Sequence, residues 1–216
     1  MGETFSYGRL RWGIQRLICL PVRCLFWLFF RLKQVGHPPV SGPYIIAPNH
    51  TSYMDPILIQ LLMPRHVTFM MDAGIFRVPL MNWFFRFWGA IPVSTTGRSA
   101  AGAMKRALGA ARSGELLGVF PEGRISLDGE LQEGRSGIAV LMQRADVPVV
   151  PVAIMGAFQV LPRAARFPRL GRITVVWGEP IHVQVSEGLD RRAAADELCG
   201  HVMGSIEELQ GRHKTR

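Results

Sequence analysis

The sequence predicts an α/β fold with a mostly parallel central sheet flanked by helices, preceded by an N-terminal membrane-docking helical segment. After residue 40, short apolar runs alternate with longer segments of helical period. Several of these runs are almost wholly apolar, as is typical of strands buried on both faces. Residues 1–35 instead combine arginines with large apolar side chains. We therefore divide the chain into an amphipathic interface segment, 1–38, and an α/β unit of ordinary domain size, 39–216.

The helices and strands are predicted from the spacing of apolar residues and from residues typical of turns and helix ends. Ser41-Gly42-Pro43 opens the first strand, Ser99 is a candidate N-cap and Gly114 a candidate C-cap. The predicted strands are 44–47, 67–71, 89–93, 116–120, 147–154, 173–177 and 181–185. The predicted helices are 56–63, 79–88, 99–113, 136–144 and 189–210. Because ligands of such sheets bind beyond the carboxyl ends of strands, we expect chemistry in the loops after residues 47, 93 and 120.

The first 35 residues predict helices that lie in a membrane interface. They contain six basic residues against the single acid Glu3, and their apolar runs are interrupted by Arg23. Aromatic side chains would enter the acyl boundary while arginines extend to the headgroups. Pro21 is expected to break the segment into two helical pieces. The alternative is an amphipathic helix packed on the protein's own core. The predicted membrane-contacting residues are Arg16, Arg23, Trp27, Phe29 and Phe30.

Composition excludes several classes of protein. The 216 residues carry a formal net charge of +9, and all but three of the 25 basic residues are arginines. Such charge suits anions, including lipid headgroups, but the apolar setting of the N-terminal arginines disfavours nucleic acid. Three cysteines without Cys-x-x-Cys spacing exclude a zinc ribbon and a disulfide framework, and no metal site is predicted. The Gly-x-Ser-x-Gly, Walker and Gly-x-Gly-x-x-Gly motifs are absent.

The loop after the first strand contains a candidate general base. It reads Asn49-His50-Thr51-Ser52-Tyr53-Met54-Asp55. An Asp bonded to one imidazole nitrogen sets the tautomer and leaves the other nitrogen to take a proton from an attacking hydroxyl or amine. The alternative is that Asp55 only caps the helix that begins at Pro56. Since no nucleophilic Ser or Cys stands in a recognisable setting, the pair would activate an acceptor directly.

A second candidate loop follows the strand that ends at Phe120. It reads Phe120-Pro121-Glu122-Gly123-Arg124. Gly123 permits positive φ or close approach of a ligand, and Arg124 suits a phosphate. Glu122 could bind Arg124, orient it, or accept a hydrogen bond from a substrate hydroxyl. The alternative is a tight turn with a surface ion pair.

Together these loops resemble the glycerolipid acyltransferase superfamily, typified by lysophosphatidic acid acyltransferases. Four blocks occur in the family's order within about residues 40–180. The four blocks are His50 to Asp55 with four residues between, Gly89-Ala90-Ile91-Pro92-Val93, Phe120-Pro121-Glu122-Gly123, and Val147-Pro148-Val149-Val150-Pro151-Val152-Ala153-Ile154. The first and third blocks together are highly specific. The resemblance implies a membrane-associated acyltransferase, at the cytoplasmic face of a bacterial inner membrane.

The resemblance also implies roles for single residues. His50 is the catalytic base on the acceptor hydroxyl, which attacks an acyl thioester, and Asp55 orients the imidazole. The residues expected to bind substrate are Asn49, Ser52, Arg98, Glu122, Gly123 and Arg124. No cofactor is implied, because acyl-CoA or acyl-carrier protein acts as co-substrate. The implied partners are membrane lipids, a lysophospholipid acceptor and that donor, without nucleic acid.

Two departures from the family pattern bear on the acceptor. The third block commonly reads Phe-Pro-Glu-Gly-Thr-Arg-Ser, whereas here Arg124 stands one place earlier and Ile125 takes the usual arginine position. Ser94-Thr95 replace the Asp-Arg that often follows the second block, and the nearest arginine is Arg98. A shift by one residue moves a guanidinium by roughly 3.5 Å. Lysophosphatidic acid, lysophosphatidylethanolamine and amino-lipids all stay open as acceptors, and a non-catalytic lipid-binding protein is the alternative.

A basic stretch follows the fourth block. No acid occurs between residues 147 and 178, and four arginines recur at every third position from Arg163 to Arg172. Anionic headgroups, an acidic carrier protein and CoA phosphates would each suit this stretch. A solvated basic loop is the alternative.

Overall fold

Helices and strands alternate along the chain as the sequence predicts. The computed structural model describes residues 9–93, 98–182 and 190–214. The strands are β1 (Lys33–Val35), β2 (Ile45–Pro48), β3 (Val67–Asp72), β4 (Ile91–Val93), β5 (Leu116–Gly118), β6 (Val149–Met155) and β7 (Thr174–Trp177). The helices are α1 (Arg9–Phe30), α2 (Asp55–Leu62), α3 (Ala73–Phe76), α4 (Pro79–Phe87), α5 (Arg98–Arg112), α6 (Ser136–Ala145), α7 (Ala157–Val160) and α8 (Arg191–Lys214).

The described strands form one seven-stranded sheet in the order β1-β7-β6-β2-β5-β3-β4. All neighbouring strands are parallel except β6 and β7, which run antiparallel. At the centre, Ile45 of β2 pairs with Val149 of β6 and with Leu117 of β5. The predicted α/β class with a mostly parallel sheet is therefore confirmed.

Both faces of the central strands are buried, because neighbouring residues of a strand point to opposite faces. Ile45 packs on one face with α5, α6 and α8, and Ile46 packs on the other with α2 and the end of α1. Ala103, Ala107 and Ala111 bring α5 close to the first face. This double burial explains why the central strands are continuous apolar runs in the sequence.

The edges of the fold differ from the prediction. β1 begins at Lys33 and pairs with β7, so the sheet starts before the proposed boundary at residue 39. The predicted strand 116–120 ends at Gly118. Ile181 forms one bridge to Val149, and the rest of the predicted strand 181–185 lies mainly outside the described residues. β1, α3 and α7 were not predicted from the sequence.

α1 is one helix, so the prediction that Pro21 divides it is wrong. The helix runs from Arg9 to Phe30 with Pro21 inside it. Proline lacks one backbone donor and crowds the preceding turn, but a helix can continue through it at a kink. Within the described residues, Gly13–Phe30 is the stretch long and apolar enough, by length and composition, to cross a membrane.

Candidate active site

His50 and Asp55 lie together at the carboxyl end of β2, where the sequence places the chemistry. β2 ends at Pro48, and Asp55 is the first residue of α2. His50 Nδ1 lies 2.9 Å from Asp55 Oδ2. This bond favours the tautomer with hydrogen on Nδ1 and leaves Nε2 as the acceptor nitrogen. The His50 side chain is 14% exposed, so the ring is held firmly and is still partly accessible.

Asp55 is fixed by the loop that it follows. Its Oδ2 accepts hydrogen bonds from the backbone amides of Thr51, at 2.7 Å, and Ser52, at 2.8 Å. The side chain is fully buried. Burial raises the pKa of the Asp55 carboxyl, while the bonds from His50, Ser52 and Thr51 act in the opposite direction. The loop thus orients the carboxylate before any substrate arrives, as a carboxylate that supports a catalytic imidazole requires.

An aromatic stack supports the imidazole from one face. The rings of His50 and Phe120 stack with centroids 3.7 Å apart, and Phe120 in turn stacks on Phe69 at 5.8 Å. A Cβ at Gly118 would lie 2.2 Å from the Phe69 ring. Only glycine therefore leaves room for Phe69 beneath Phe120, and the packing of β5 restricts the position of His50.

Glu122 connects the two loops that the resemblance identified. Its Oε1 accepts from the His50 amide at 2.7 Å, and its Oε2 accepts from the Gln132 amide at 3.2 Å. Burial raises the pKa of Glu122 to about 7, although both amides and the Arg124 charge oppose the shift. Glu122 is 1% exposed and both of its oxygens accept backbone hydrogen bonds, so the side chain positions His50. Its predicted contact with substrate stays a prediction.

Asn49 and Ser52 were predicted to bind substrate, and this stays a prediction, because the structure shows their side chains bonded to the protein's own backbone. Asn49 is fully buried, donates to Ile154 O at 3.0 Å and accepts from Ile154 N at 2.6 Å. Ser52 is also fully buried, and its hydroxyl donates to Leu161 O at 2.7 Å while accepting from Met54 N at 3.1 Å. Both side chains form hydrogen bonds with backbone groups, and these bonds attach the loop to β6 and to the segment after α7.

Gly123 and Arg124 lie on the exposed side of the site. Gly123 has φ +65°, the left-handed conformation that its residue type allows. Arg124 is exposed, and its Nη2 lies 3.4 Å from Gln132 Oε1. A Cβ at Gly123 would lie 2.8 Å from Cδ of Arg135, a second exposed arginine that the sequence analysis did not select. The only signal for Arg135 was its charge, ten or so residues beyond the motif.

Arg98 is the first residue of α5, directly after residues 94–97, which the structure does not describe. Its predicted role in substrate binding stays a prediction.

A basic cavity that sequence reasoning missed lies beyond β3. It has a volume of about 270 Å³ and is lined by Ala73, Phe76, Arg77, Asn82, Arg86, Pro92 and Arg106. Since β3 neighbours β5 in the sheet, this cavity and the loop that contains Glu122 follow adjacent strands.

The predicted membrane-contacting residues fall into two groups. Arg16 and Arg23 are exposed, Trp27 is 68% exposed and Phe29 is 48% exposed. Phe30, in contrast, is 9% exposed and belongs to the core cluster beneath the sheet. The prediction that Phe30 contacts lipid is therefore contradicted, because the last turn of α1 folds this side chain against the protein. Gln15 is also buried, and it donates to Phe87 O at 2.8 Å.

The site has the parts that direct proton abstraction needs. With hydrogen on Nδ1, His50 Nε2 is the ring nitrogen that can accept a proton, and the Asp55 carboxylate beside Nδ1 favours a positively charged ring. The guanidinium of Arg124, a group suited to anions, is exposed on the loop of Glu122. Among the described residues, no group of three or more His, Cys, Asp or Glu side chains is placed to hold a metal ion.

Known proteins are similar to this chain in sequence. A chloroplastic 1-acyl-sn-glycerol-3-phosphate acyltransferase of Arabidopsis thaliana is 28% identical over 79% of this chain and 46% of its own length. A 1-acyl-sn-glycerol-3-phosphate acyltransferase of Borreliella burgdorferi is 26% identical over 54% of this chain and 47% of its own length. An N-acylphosphatidylethanolamine synthase of Arabidopsis thaliana is 28% identical over 71% of this chain and 61% of its own length. The match spans about half the length of the first two relatives.

The fold is shared with a solved structure. The crystal structure of the 1-acyl-sn-glycerophosphate acyltransferase PlsC from Thermotoga maritima matches 92% of this chain and 79% of its own, with a TM-score of 0.70 and 24% identity. The family model named Acyltransferase matches residues 31–155, which include both loops of the site. Because this match covers more than half of the chain, the protein belongs to the acyltransferase family.

Proposed function

We propose that this protein transfers a fatty acyl group from an acyl thioester to the hydroxyl of a lysophospholipid at a membrane surface. The observation that carries the proposal is the His50–Asp55 pair, held 2.9 Å apart at the carboxyl edge of the sheet in a chain of this family. The names of the relatives support a lysophospholipid acceptor.

The proposed reaction has two proton transfers and no covalent enzyme intermediate. His50 Nε2 takes the proton of the acceptor hydroxyl as its oxygen attacks the thioester carbonyl carbon. The C–S bond then breaks, and the imidazolium returns the proton to the leaving thiolate. The products are an ester and a free thiol. Asp55 favours the imidazolium throughout, because its carboxylate is already oriented by Thr51 and Ser52.

Both acyl-CoA and acyl-carrier protein satisfy this chemistry as donors. For the acceptor, lysophosphatidic acid is supported by the names of two relatives, whereas the N-acylphosphatidylethanolamine synthase relative supports an ethanolamine lipid as the second candidate. A non-catalytic lipid-binding role is disfavoured by the intact, pre-oriented pair of His50 and Asp55.

The exposed apolar side chains of α1 support docking on a membrane surface that is in contact with the acyl-CoA or acyl-carrier protein donor.

The test is transfer of labelled acyl groups by the full-length protein to a panel of lysolipids, from acyl-CoA and from acyl-carrier protein in turn. We expect a product whose formation falls by at least about a thousandfold in His50→Ala. The matched control is His37→Ala, which removes an exposed imidazole outside the site.

Two results would contradict the proposal. The absence of product with every donor and acceptor would remove the enzymatic function. A His50→Ala protein with wild-type turnover would show that another group is the base. The headgroup of the product would decide between the two acceptor classes.

A further inference from the structure

We propose that residues 161–172, here called the basic loop, form a second membrane contact that binds anionic lipid beside the active site. This inference rests on the proposed function at a membrane surface. It adds a contact that is separate from α1 and gives that contact a lipid preference. The basic loop joins α7 to β7.

The surface of the basic loop combines positive charge with large apolar side chains. All four of its arginines are exposed, and none forms an ion pair with another described residue. Phe167 is 81% exposed and Leu170 is 78% exposed, which are extreme values for side chains of this size. The arginines are Arg163, Arg166, Arg169 and Arg172. Arginines interleaved with exposed apolar groups are typical of a surface that meets headgroups and the acyl boundary together.

The basic loop is held in a defined conformation. The Arg169 amide donates to Val160 O at 2.8 Å, and the Ala165 amide donates to Pro162 O at 2.9 Å. At the far end, the Arg172 carbonyl lies so close to Gly156 that a Cβ there would be 1.9 Å from it. Because the backbone is anchored at these points, Phe167 and Leu170 are exposed by the fold and not by fraying of a terminus.

The basic loop is continuous with the end of α1. The Ile173 amide donates to Phe30 O at 2.9 Å, and the Lys33 amide donates to Ile173 O at 2.9 Å. A cavity of about 380 Å³ lies there, lined by Trp27, Leu28, Arg31, Leu32 and Lys33. Its two cations and its indole ring have the same mixed character as the basic loop, and the bonds of Ile173 join the end of that loop to the chain segment that lines the cavity.

The basic loop is also attached to the catalytic loop. The Ser52 hydroxyl donates to Leu161 O, and the amide of Ser52 holds Asp55. A membrane contact here would place the His50 loop at the surface where a lysolipid acceptor lies. An acidic carrier protein would also complement the arginines, but the exposed Phe167 and Leu170 favour lipid, which can take up both apolar side chains.

The experiment measures partitioning of the full-length protein onto phosphatidylcholine vesicles with and without phosphatidylglycerol, over a range of lipid concentrations. The charge variant is R163Q/R166Q/R169Q, and the apolar variant is F167S/L170S. The matched control, K105Q/R144Q/R192Q, removes three exposed cations elsewhere. Far-UV circular dichroism and the melting temperature confirm that each variant is folded.

We expect the charge variant to bind the anionic vesicles about a hundredfold more weakly, since each basic side chain near such a surface contributes about fivefold. Its binding to pure phosphatidylcholine should match the wild type. The apolar variant should lose about tenfold on both vesicle types. The control should lose far less than the charge variant.

Two outcomes would overturn the inference. If both loop variants bind vesicles like the control, the basic loop is not a membrane contact. If the charge variant binds vesicles normally but shows a higher KM for acyl-carrier protein, the partner is that protein. Vesicle binding does not require turnover, so the binding result can be interpreted even if the protein shows no acyl transfer.

Discussion

Two regions at the same edge of the sheet differ in how firmly they are held. The catalytic corner is made of His50, Asp55, Phe120 and Glu122. Its members are buried except for the partly accessible His50 ring, and backbone amides and ring stacking hold them together. The arginine rim, defined here as Arg124, Arg135 and the arginines of the cavity beyond β3, is largely exposed, and the contact made by Arg124 is long.

We infer from this difference that the catalytic corner governs the rate of the reaction and the arginine rim governs the choice of acceptor. In the catalytic corner, backbone groups of several segments determine where each side chain lies, so a single substitution there disturbs a network. On the rim, a guanidinium can move by one residue along the chain without changing the fold. The early position of Arg124 is a shift of this kind. We therefore expect substitutions in the catalytic corner to lower kcat and substitutions on the rim to alter acceptor KM.

The largest effect is expected from Asp55→Asn. This change keeps the shape of the side chain but removes the charge that stabilises the imidazolium and fixes its tautomer. We expect kcat to fall by about a thousandfold with little change in acceptor KM. Steady-state acyl transfer measures both, and Asp146→Asn is the matched control at an exposed helix end. A loss below tenfold would mean that Asp55 only holds the loop before α2, through the amides of Thr51 and Ser52.

The next effect concerns stability. Asn49→Ala leaves the buried Ile154 amide and carbonyl without their partners. We expect the free energy of unfolding to fall by about 2–4 kcal/mol, measured by urea denaturation, with acceptor KM unchanged in the folded protein. Asn82→Ala removes one partly buried bond, to Phe76 O, and one exposed bond, from Arg86 Nε, and should cost less. A folded variant with normal stability and a higher acceptor KM would support the substrate-binding role predicted from the sequence.

Asn49 also shows what the sequence does not reveal. The central strands and long helices could be predicted, because continuous apolar runs and helical periods record burial directly. The His50–Asp55 contact could be predicted because it is local. Asn49, however, bonds to a residue 105 positions away, and a polar residue after a strand has the same local pattern whether it binds substrate or backbone. β1 was missed because Lys-Gln-Val, at the sheet edge, has no apolar period.

A smaller effect, on pH dependence, is expected at Glu122. Burial raises the pKa of this carboxyl from 4.5 to about 7 in the folded protein. The protonated Glu122 carboxyl therefore contributes its full stabilisation of the folded protein below pH 4.5. This stabilisation is lost as the pH rises through about 7, because the folded protein must then hold a buried charge. We expect Glu122→Gln to remove this decline in urea unfolding measured across that pH interval.

The exposed Glu133→Gln is the matched control for Glu122 and should retain the wild-type profile. If Glu122→Gln and the wild type show the same pH dependence of unfolding, the Glu122 carboxyl of the wild type is ionised over the whole pH interval. The pairing of Glu122 with the His50 and Gln132 amides would then be an interaction of the charged group at every pH tested.

The smallest effect distinguishes among the arginines of the rim. Arg124→Ala should raise the KM for a phosphate-bearing acceptor by about tenfold, the loss of one hydrogen bond between charged groups, and leave kcat nearly unchanged. Arg106→Ala is the informative comparison, because Arg106 lines the cavity beyond β3 and its Nη2 donates to Pro92 O. A KM effect in Arg106→Ala but not in Arg124→Ala would place the acceptor phosphate in that cavity. Equal effects in both would require an anion that spans the edge from β5 to β3, and an acceptor series with and without the phosphate would then show whether the contact belongs to the acceptor or to the donor.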